Sequence, residues 1–411
     1  MNDGGQHGTA GRWLSIIGIG EDGAPGLSAV ARGLIEGAEL VVGGKRHLAL
    51  AEAHIRGRAL AWPSPLADGI SEITRHRGRP VAVLASGDPF QYGIGKQIAA
   101  AVPAGEFSCL PQPSAFSLAA ARMGWALQDT ALVTLHGRPL EAIVRHLHPG
   151  ARILALSWDE TTPRHVAELL TARRTGQSAL TVLEALGGPR ERIRGAMAMS
   201  FDLTEISALN TIALEVVAGP GASIIPFTPG LDDALFENDG QLTKRDIRAL
   251  TLAALSPRHG ELLWDVGLGA GSVAIEWLLC HPALRAIGIE RRPERAARAL
   301  RNAAALGVPE LEVITGEAPE ALTGLPRPDA VFIGGGASSD ALFEAAWAAL
   351  KSGGRLVANV VSLEGEARLM RRFARLGGEL IRLELARADA IGRMHSWRPA
   401  MPVTQWRVTK S

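Results

Sequence analysis

Residues 264–272 read Trp264-Asp265-Val266-Gly267-Leu268-Gly269-Ala270-Gly271-Ser272, an apolar run that enters three alternating glycines and then the helical stretch SVAIEWLLC. A strand, a tight loop and a helix in that order belong to an α/β sheet. Glycine has no Cβ, so the backbone can touch a ligand directly, and the start of the following helix offers free amide donors. Glu290 ends the next apolar run, AIGIE, 23 residues after Gly267, where its carboxylate can accept both hydroxyls of a ribose. The spacing is GxGxG rather than GxGxxG, and Asp265 precedes the first glycine by two residues. An acid there suits an ammonium group and repels a pyrophosphate. S-adenosylmethionine carries that ammonium, a ribose diol and no phosphate. The motif therefore favours a methyl donor over a dinucleotide, with a purely structural turn as the remaining reading.

The rest of the chain extends the pattern on both sides. Apolar bursts at Trp13–Ile19 and at 40–44, 80–89, 130–139, 151–158 and 210–219 alternate with helical stretches such as HVAELLTARR, which predicts an α/β first half. From Gly219 to Gly240 the period is lost among three prolines and four glycines, so 221–240 is expected as a linker between domains at 12–220 and 241–411. The second series starts with a helix over 244–255 and ends in ELIRLEL and VTQWRV with no clear helix between them, which predicts an antiparallel C-terminal hairpin. The glycine loops of the halves differ in spacing, so the chain reads as two unrelated α/β folds joined end to end.

Charge and cysteine content narrow the function. With 43 basic and 42 acidic side chains the formal charge is +1, so no overall field draws the chain to nucleic acid or anionic lipid. Cys109 and Cys280 are far apart and no CxxC occurs, which argues against a disulfide scaffold, a zinc ribbon and an iron–sulfur site and predicts a reducing cytoplasm. The N-terminal MNDGGQHGTAGRW lacks an apolar leader core, and no uncharged apolar run is long enough for a membrane span.

Several weaker motifs stay open at this level. Glu317-Ala318-Pro319-Glu320 reads as a cover for an adenine or as an ordinary capped helix start. Gly334-Gly335-Gly336 stands where amino-methylating enzymes of nucleic acids carry Asn/Asp-Pro-Pro-Tyr, and reads as room for a large flat substrate or as a flexible turn. Arg295, Arg298 and Arg301 form a stripe that is either anion-binding or plain solvated surface, and Arg393 to Arg398 reads as a polycarboxylate clamp or a rim loop. In the first half, Gly18-Ile19-Gly20, Ser86-Gly87-Asp88, Pro113-Ser114-Ala115 and His136-Gly137-Arg138 each end a predicted strand. If those strands are parallel neighbours, the four turns share one ligand-binding rim.

Taken in order, IIGIGEDG, VVGGKRHL, ASGDPFQYGIG, LHGRP and LGGPRERI, then QLTKRDIRAL, DVGLGAGS and GEAPEAL, carry a resemblance that covers nearly everything after residue 12. The first half resembles the class III tetrapyrrole methyltransferase fold. The second, from about Pro226, resembles the decarboxylating precorrin methyltransferase domain of cobalamin biosynthesis, a class I Rossmann-like S-adenosylmethionine fold. The resemblance implies two S-adenosylmethionine sites per chain. In the second domain it places Gly267, Leu268, Gly269, Ala270 and Gly271 around the donor with Asp265, Thr243 in the preceding helix cap, Glu290 at the ribose, and Glu317 and Ala318 beside the adenine. In the first it places Gly20, Ser86, Gly87, Asp88, Gln91, Ser114 and Ala115 around a bent donor. Glu21-Asp22-Gly23 and Phe90-Gln91-Tyr92 depart from the commoner family pattern and weaken individual contacts there.

The same resemblance implies a precorrin-6B substrate, carbon 5 methylation by the first domain, carbon 15 methylation with loss of the ring C acetate carboxylate by the second, and a homo-oligomer built on the second domain. Electron-rich meso carbons attack a sulfonium methyl with little acid–base help, so no catalytic residue is assigned. Asp88, His136, His395 and Arg398 remain candidates, and no metal site is expected. The rival functions are an NAD-dependent oxidoreductase, an RNA or small-molecule methyltransferase, and a non-catalytic tetrapyrrole carrier.

Overall fold

The computed structural model describes residues 11–411, and the reading of a polar, leader-free start at residues 1–10 lies outside the described residues. Two compact units divide the chain, one made of the residues up to Leu140 with His148–Ser223, the other of Glu141–Leu147 with Ile224–Ser411. Among the described residues no helix is long and apolar enough to cross a membrane.

The first unit holds two sheets. Strands β1 (Leu14–Ile19), β2 (Leu40–Gly43), β3 (Arg58–Ala61), β4 (Val81–Ser86) and β5 (Phe107–Leu110) form a parallel sheet in the order β3-β2-β4-β1-β5. All six residues of β1 are buried, as a strand covered on both faces must be. The twofold alternation sends Leu14 and Ile16 into one core and Ile17 and Ile19 into another on the opposite face. A mixed sheet follows, with β6 (Thr130–Thr134), β7 (Arg152–Leu156), β8 (Ala179–Glu184), β9 (Arg192–Met197) and β10 (Asn210–Glu215) in the order β6-β7-β10-β8-β9. This corrects the expectation of a four-turn rim. The turns after β1, β4 and β5 end adjacent parallel strands, but His136-Gly137-Arg138 follows β6, which pairs with β7 in the other sheet.

The second unit is built on a seven-stranded sheet. Its strands are β11 (Leu262–Val266), β12 (Arg285–Glu290), β13 (Glu312–Thr315), β14 (Ala330–Ile333), β15 (Arg355–Val360), β16 (Glu379–Leu383) and, after the separate ribbon β17 (Ala386–Ile391) and β18 (Met394–Pro399), β19 (Val403–Thr409). The order is β13-β12-β11-β14-β15-β19-β16, parallel except for β19, which runs antiparallel to both neighbours. The expected hairpin of the last two strands is therefore present as the β16–β19 pair, and the β17–β18 ribbon is interposed in its connection. The strand order reverses between β11 and β14, so the crevice for a ligand opens above those two strands.

The stretch from Ile224 to Gly240 is packed into this unit. Glu276, buried on the helix Ser272–Cys280, accepts the amides of Gly230 and Leu231 at 2.7 and 2.9 Å. Arg248, also fully buried, donates to Glu276 at 2.5 Å and to Asp233 at 3.1 Å, and lies over the Phe236 ring. A pair of charges withdrawn from water needs such a full set of partners.

Candidate functional site

In the second unit the loop after β11 is built on glycine. Gly267, Gly269 and Gly271 have φ of 80°, 59° and 80°, in the left-handed region that side chains resist. At Gly267 there is also no room: a Cβ would lie 2.7 Å from the Gly335 amide nitrogen, so the turn after β14 packs backbone to backbone against the loop after β11. That contact is the structural use of the Gly334–Gly336 run. Leu268 and Ala270 are buried, and the Leu268 side chain occupies the space a Cβ on Gly288 would take, so both can meet a ligand through their backbone alone.

Two carboxylates fix this loop. Glu290 accepts from the Gly269 amide at 2.9 Å and from the Arg292 amide at 3.0 Å, leaving lone pairs on both oxygens for a diol. Asp265 lies beneath the loop, 1% exposed, and accepts from the Ala274 amide in the first turn of the helix Ser272–Cys280 at 3.0 Å. Burial pushes the Asp265 carboxyl up to about 7; the Ala274 amide opposes this, and the nearby Glu290 charge adds to it.

The neighbouring segments close the crevice. The Gly316 amide donates to the Glu290 carbonyl at 2.9 Å, which brings the following Glu317 and Ala318 to the end of β12, with Ala318 packed on the apolar core. Thr243 stands one residue ahead of the helix cap, which is Lys244, and its carbonyl accepts from Arg248 at 2.5 Å. Gln241 passes over the loop, its carbonyl 3.4 Å from where a Gly269 Cβ would lie. Asn302, unremarked in the sequence reading, ties these parts together: its amide donates to the carbonyls of Ala270 and Glu237 and accepts from the Glu237 amide. The Arg295, Arg298 and Arg301 stripe is not a free anion site, because it is paired with Asp239 and Glu237; Arg301 and its partner are exposed, Arg295 and Arg298 half-buried. Arg393 to Arg398 lie on the exposed ribbon, where Arg398 pairs with Asp389 at 3.0 Å.

In the first unit three turns meet. The Gly87 amide donates to the Ile19 carbonyl at 3.2 Å, and the Gln112 amide donates to the Gly87 carbonyl at 3.0 Å, so the ends of β1, β4 and β5 are tied through one glycine. Gly87 has a φ of 50°, and a Cβ there would lie 2.9 Å from the Ser114 Cα. Gly20 opens the turn after β1, and its carbonyl accepts from the Gly23 amide. Asp88 folds back to accept from the Phe90 amide at 2.8 Å, and its carbonyl accepts from Gln91. Ser114 caps the helix Ala115–Met123 through the Ser117 amide. The exposed Ser86 hydroxyl meets Arg46 at 2.9 Å and His47 at 2.8 Å, two residues not assigned to the site from sequence although VVGGKRHL contains them.

Comparison with known proteins follows the same division. Residues 14–198 match the family model for tetrapyrrole (corrin/porphyrin) methylases, and residues 234–410 match the precorrin methyltransferase domain. A precorrin-6Y C(5,15)-methyltransferase [decarboxylating] from Sinorhizobium sp is 58% identical over 97% of this chain and 96% of its own length. The protein of that name from Mycobacterium tuberculosis is 40% identical over 97% of this chain and its full length. A cobalt-precorrin-6B C(15)-methyltransferase (decarboxylating) from Salmonella typhimurium is 34% identical over 39% of this chain and 85% of its own length. Folds, glycine cradles and matches together define an S-adenosylmethionine-dependent tetrapyrrole methyltransferase. Within that class, the chain belongs to the precorrin-6Y C(5,15)-methyltransferase (decarboxylating) family of cobalamin biosynthesis.

Proposed function

We propose that the two units divide the work: the first methylates carbon 5 of a precorrin, and the second methylates carbon 15 and releases the ring C acetate carboxylate, each using its own S-adenosylmethionine. The observation that carries this reading is that each unit has a separate glycine-built turn at the carboxyl ends of its parallel strands. The relative named for carbon 15 methylation and decarboxylation alone covers only 39% of the chain, as one of two separable units would.

The residues fit the donor. In the second unit Asp265 suits the ammonium, Glu290 the ribose and the 267–271 backbone the amino acid end, with Ala318 beside the adenine. The donor supplies an electrophilic methyl group, and what the chain adds is orientation and exclusion of water. A net charge of +1 and paired arginines on the helix Pro293–Ala305 fit a small acidic substrate better than a nucleic acid.

Titration of the full chain with S-adenosylhomocysteine is expected to give two sites, and Glu290→Ala to leave one. With precorrin-6B and S-adenosylmethionine, the E290A product should lack the carbon 15 methyl. Two methyl groups added at the wild-type rate by E290A would overturn the assignment.

A further inference from the structure

Beside the donor turn of the first unit lies a cationic cluster. After β2 the chain turns through Gly44 into the helix Lys45–Ala51, which sets Arg46 and His47 against Ser86 at the end of β4. Arg46 also forms an ion pair with Glu21 from the turn after β1, and its second terminal nitrogen reaches His47 at 3.1 Å. The loop after β8 closes on the same place, since a Cβ on Gly188 would lie 2.6 Å from the Glu21 Cβ. That loop carries Arg190, which is exposed. Burial lowers the pKa of Arg46, and repulsion from Arg190 lowers it further. His47 is pushed down to about 4 by burial and then by Arg46, so it is neutral and adds hydrogen-bonding capacity without charge.

Arg46, paired with one carboxylate, and the exposed Arg190, on the loop that packs against Glu21, thus stand at the rim where the parallel strands end. The Arg46 side chain is 37% exposed and Glu21 only 9%, so Glu21 is spent beneath the cluster and the guanidinium faces remain reachable. Holding like charges together in a half-dry site is unfavourable until an anion joins them, and the guanidinium fork matches a carboxylate in two parallel bonds.

We propose that Arg46, Arg190 and the Ser86 hydroxyl form a carboxylate-binding site that grips one acidic side chain of the tetrapyrrole and so sets which meso carbon faces the first unit's donor. This rests on the reading of the first unit as the carbon 5 methylase. Ser86 adjoins Gly87 and Asp88, so a carboxylate held here places the macrocycle edge next to the donor turn.

The test uses the full chain with Arg46→Gln, Arg46→Lys and Arg190→Gln. Two measurements are made: steady-state carbon 5 methylation, and fluorescence titration with uroporphyrin III, which carries eight carboxylates, against its octamethyl ester. R46Q and R190Q should each raise the acceptor KM and weaken uroporphyrin binding about tenfold, the usual loss for one charge-assisted hydrogen bond. R46K should recover part of it, the ester should bind weakly to every form, and carbon 15 methylation should be unchanged. R190Q alters an exposed residue, so it stays informative if R46Q folds poorly. An unchanged acceptor KM in R190Q, equal binding of acid and ester, or a loss confined to S-adenosylhomocysteine affinity would each overturn the proposal. A wild-type chain that fails to methylate carbon 5 would instead defeat the functional reading, while the titration still decides whether carboxylates bind here.

Discussion

Asp265→Asn separates the donor-binding role proposed for this acid from its structural one. With its carboxyl raised from 3.8 to about 7, folding without the donor binds a proton that the unfolded chain releases between those values. The stability this group supports is whole below pH 4 and is lost as pH rises through about 7. That difference corresponds to about 4 kcal/mol at pH 8, taken as an upper value. Asparagine keeps an acceptor for the Ala274 amide and has nothing to ionise, so D265N should be the more stable protein above pH 7 and should lose this part of the pH dependence. Donor binding should move the other way. An ammonium beside the carboxylate expels its proton, about 0.9 per site at pH 6 and about 0.1 at pH 8, and affinity should rise roughly fivefold from pH 6 to pH 7. Calorimetric titration with S-adenosylhomocysteine in buffers of different protonation enthalpy measures that proton as the difference between wild type and D265N. Equal proton release from both at pH 6 would refute the pairing and leave Asp265 a cap for the helix beneath the loop.

Three further variants have outcomes set by the same unit's geometry. Gly267→Ala should abolish donor binding at the second site, because φ is 80° and the Cβ would strike the Gly335 backbone. Gly269→Ala has its nearest neighbour at 3.4 Å and should cost only the left-handed backbone penalty of about 1–2 kcal/mol, with binding weakened but measurable by the same titration. Arg248→Met leaves Glu276 buried without its cation and frees the Thr243 carbonyl, so urea unfolding should show a loss of about 3–5 kcal/mol.

The parts of the fold that were legible are those where local pattern and burial coincide. Strands β1 and β4 are largely apolar because both of their faces are covered, and Gly87 and Gly267, just beyond β4 and β11, have φ of 50° and 80°, which glycine accepts readily. Strand β3 reads RALA and is exposed at its first two residues, so it carries no apolar run that marks a strand. The β17–β18 ribbon is exposed along most of its length and depends on pairing alone, which leaves no periodic trace. The arginine stripe on the helix Pro293–Ala305 was ambiguous for another reason. Its partners Glu237 and Asp239 lie in a proline- and glycine-rich stretch that looks like a linker, and what holds that stretch is Asn302 and Glu276, residues remote in sequence with ordinary composition around them.

The choice between a methyl donor and a dinucleotide turns on the same two acids, not on the fold, since a sheet that reverses its order between β11 and β14 serves either ligand. Without the donor the second unit holds Asp265 and Glu290 close enough for one charge to raise the pKa of the other. A pyrophosphate at this loop would add further negative charge to a pair already reluctant to be fully ionised. A ligand with an ammonium for Asp265 and two hydroxyls for Glu290 relieves the repulsion at one acid and meets the unused lone pairs at the other. On the proposed function, Asp265 and Glu290 would therefore be the groups that select the ligand of this loop.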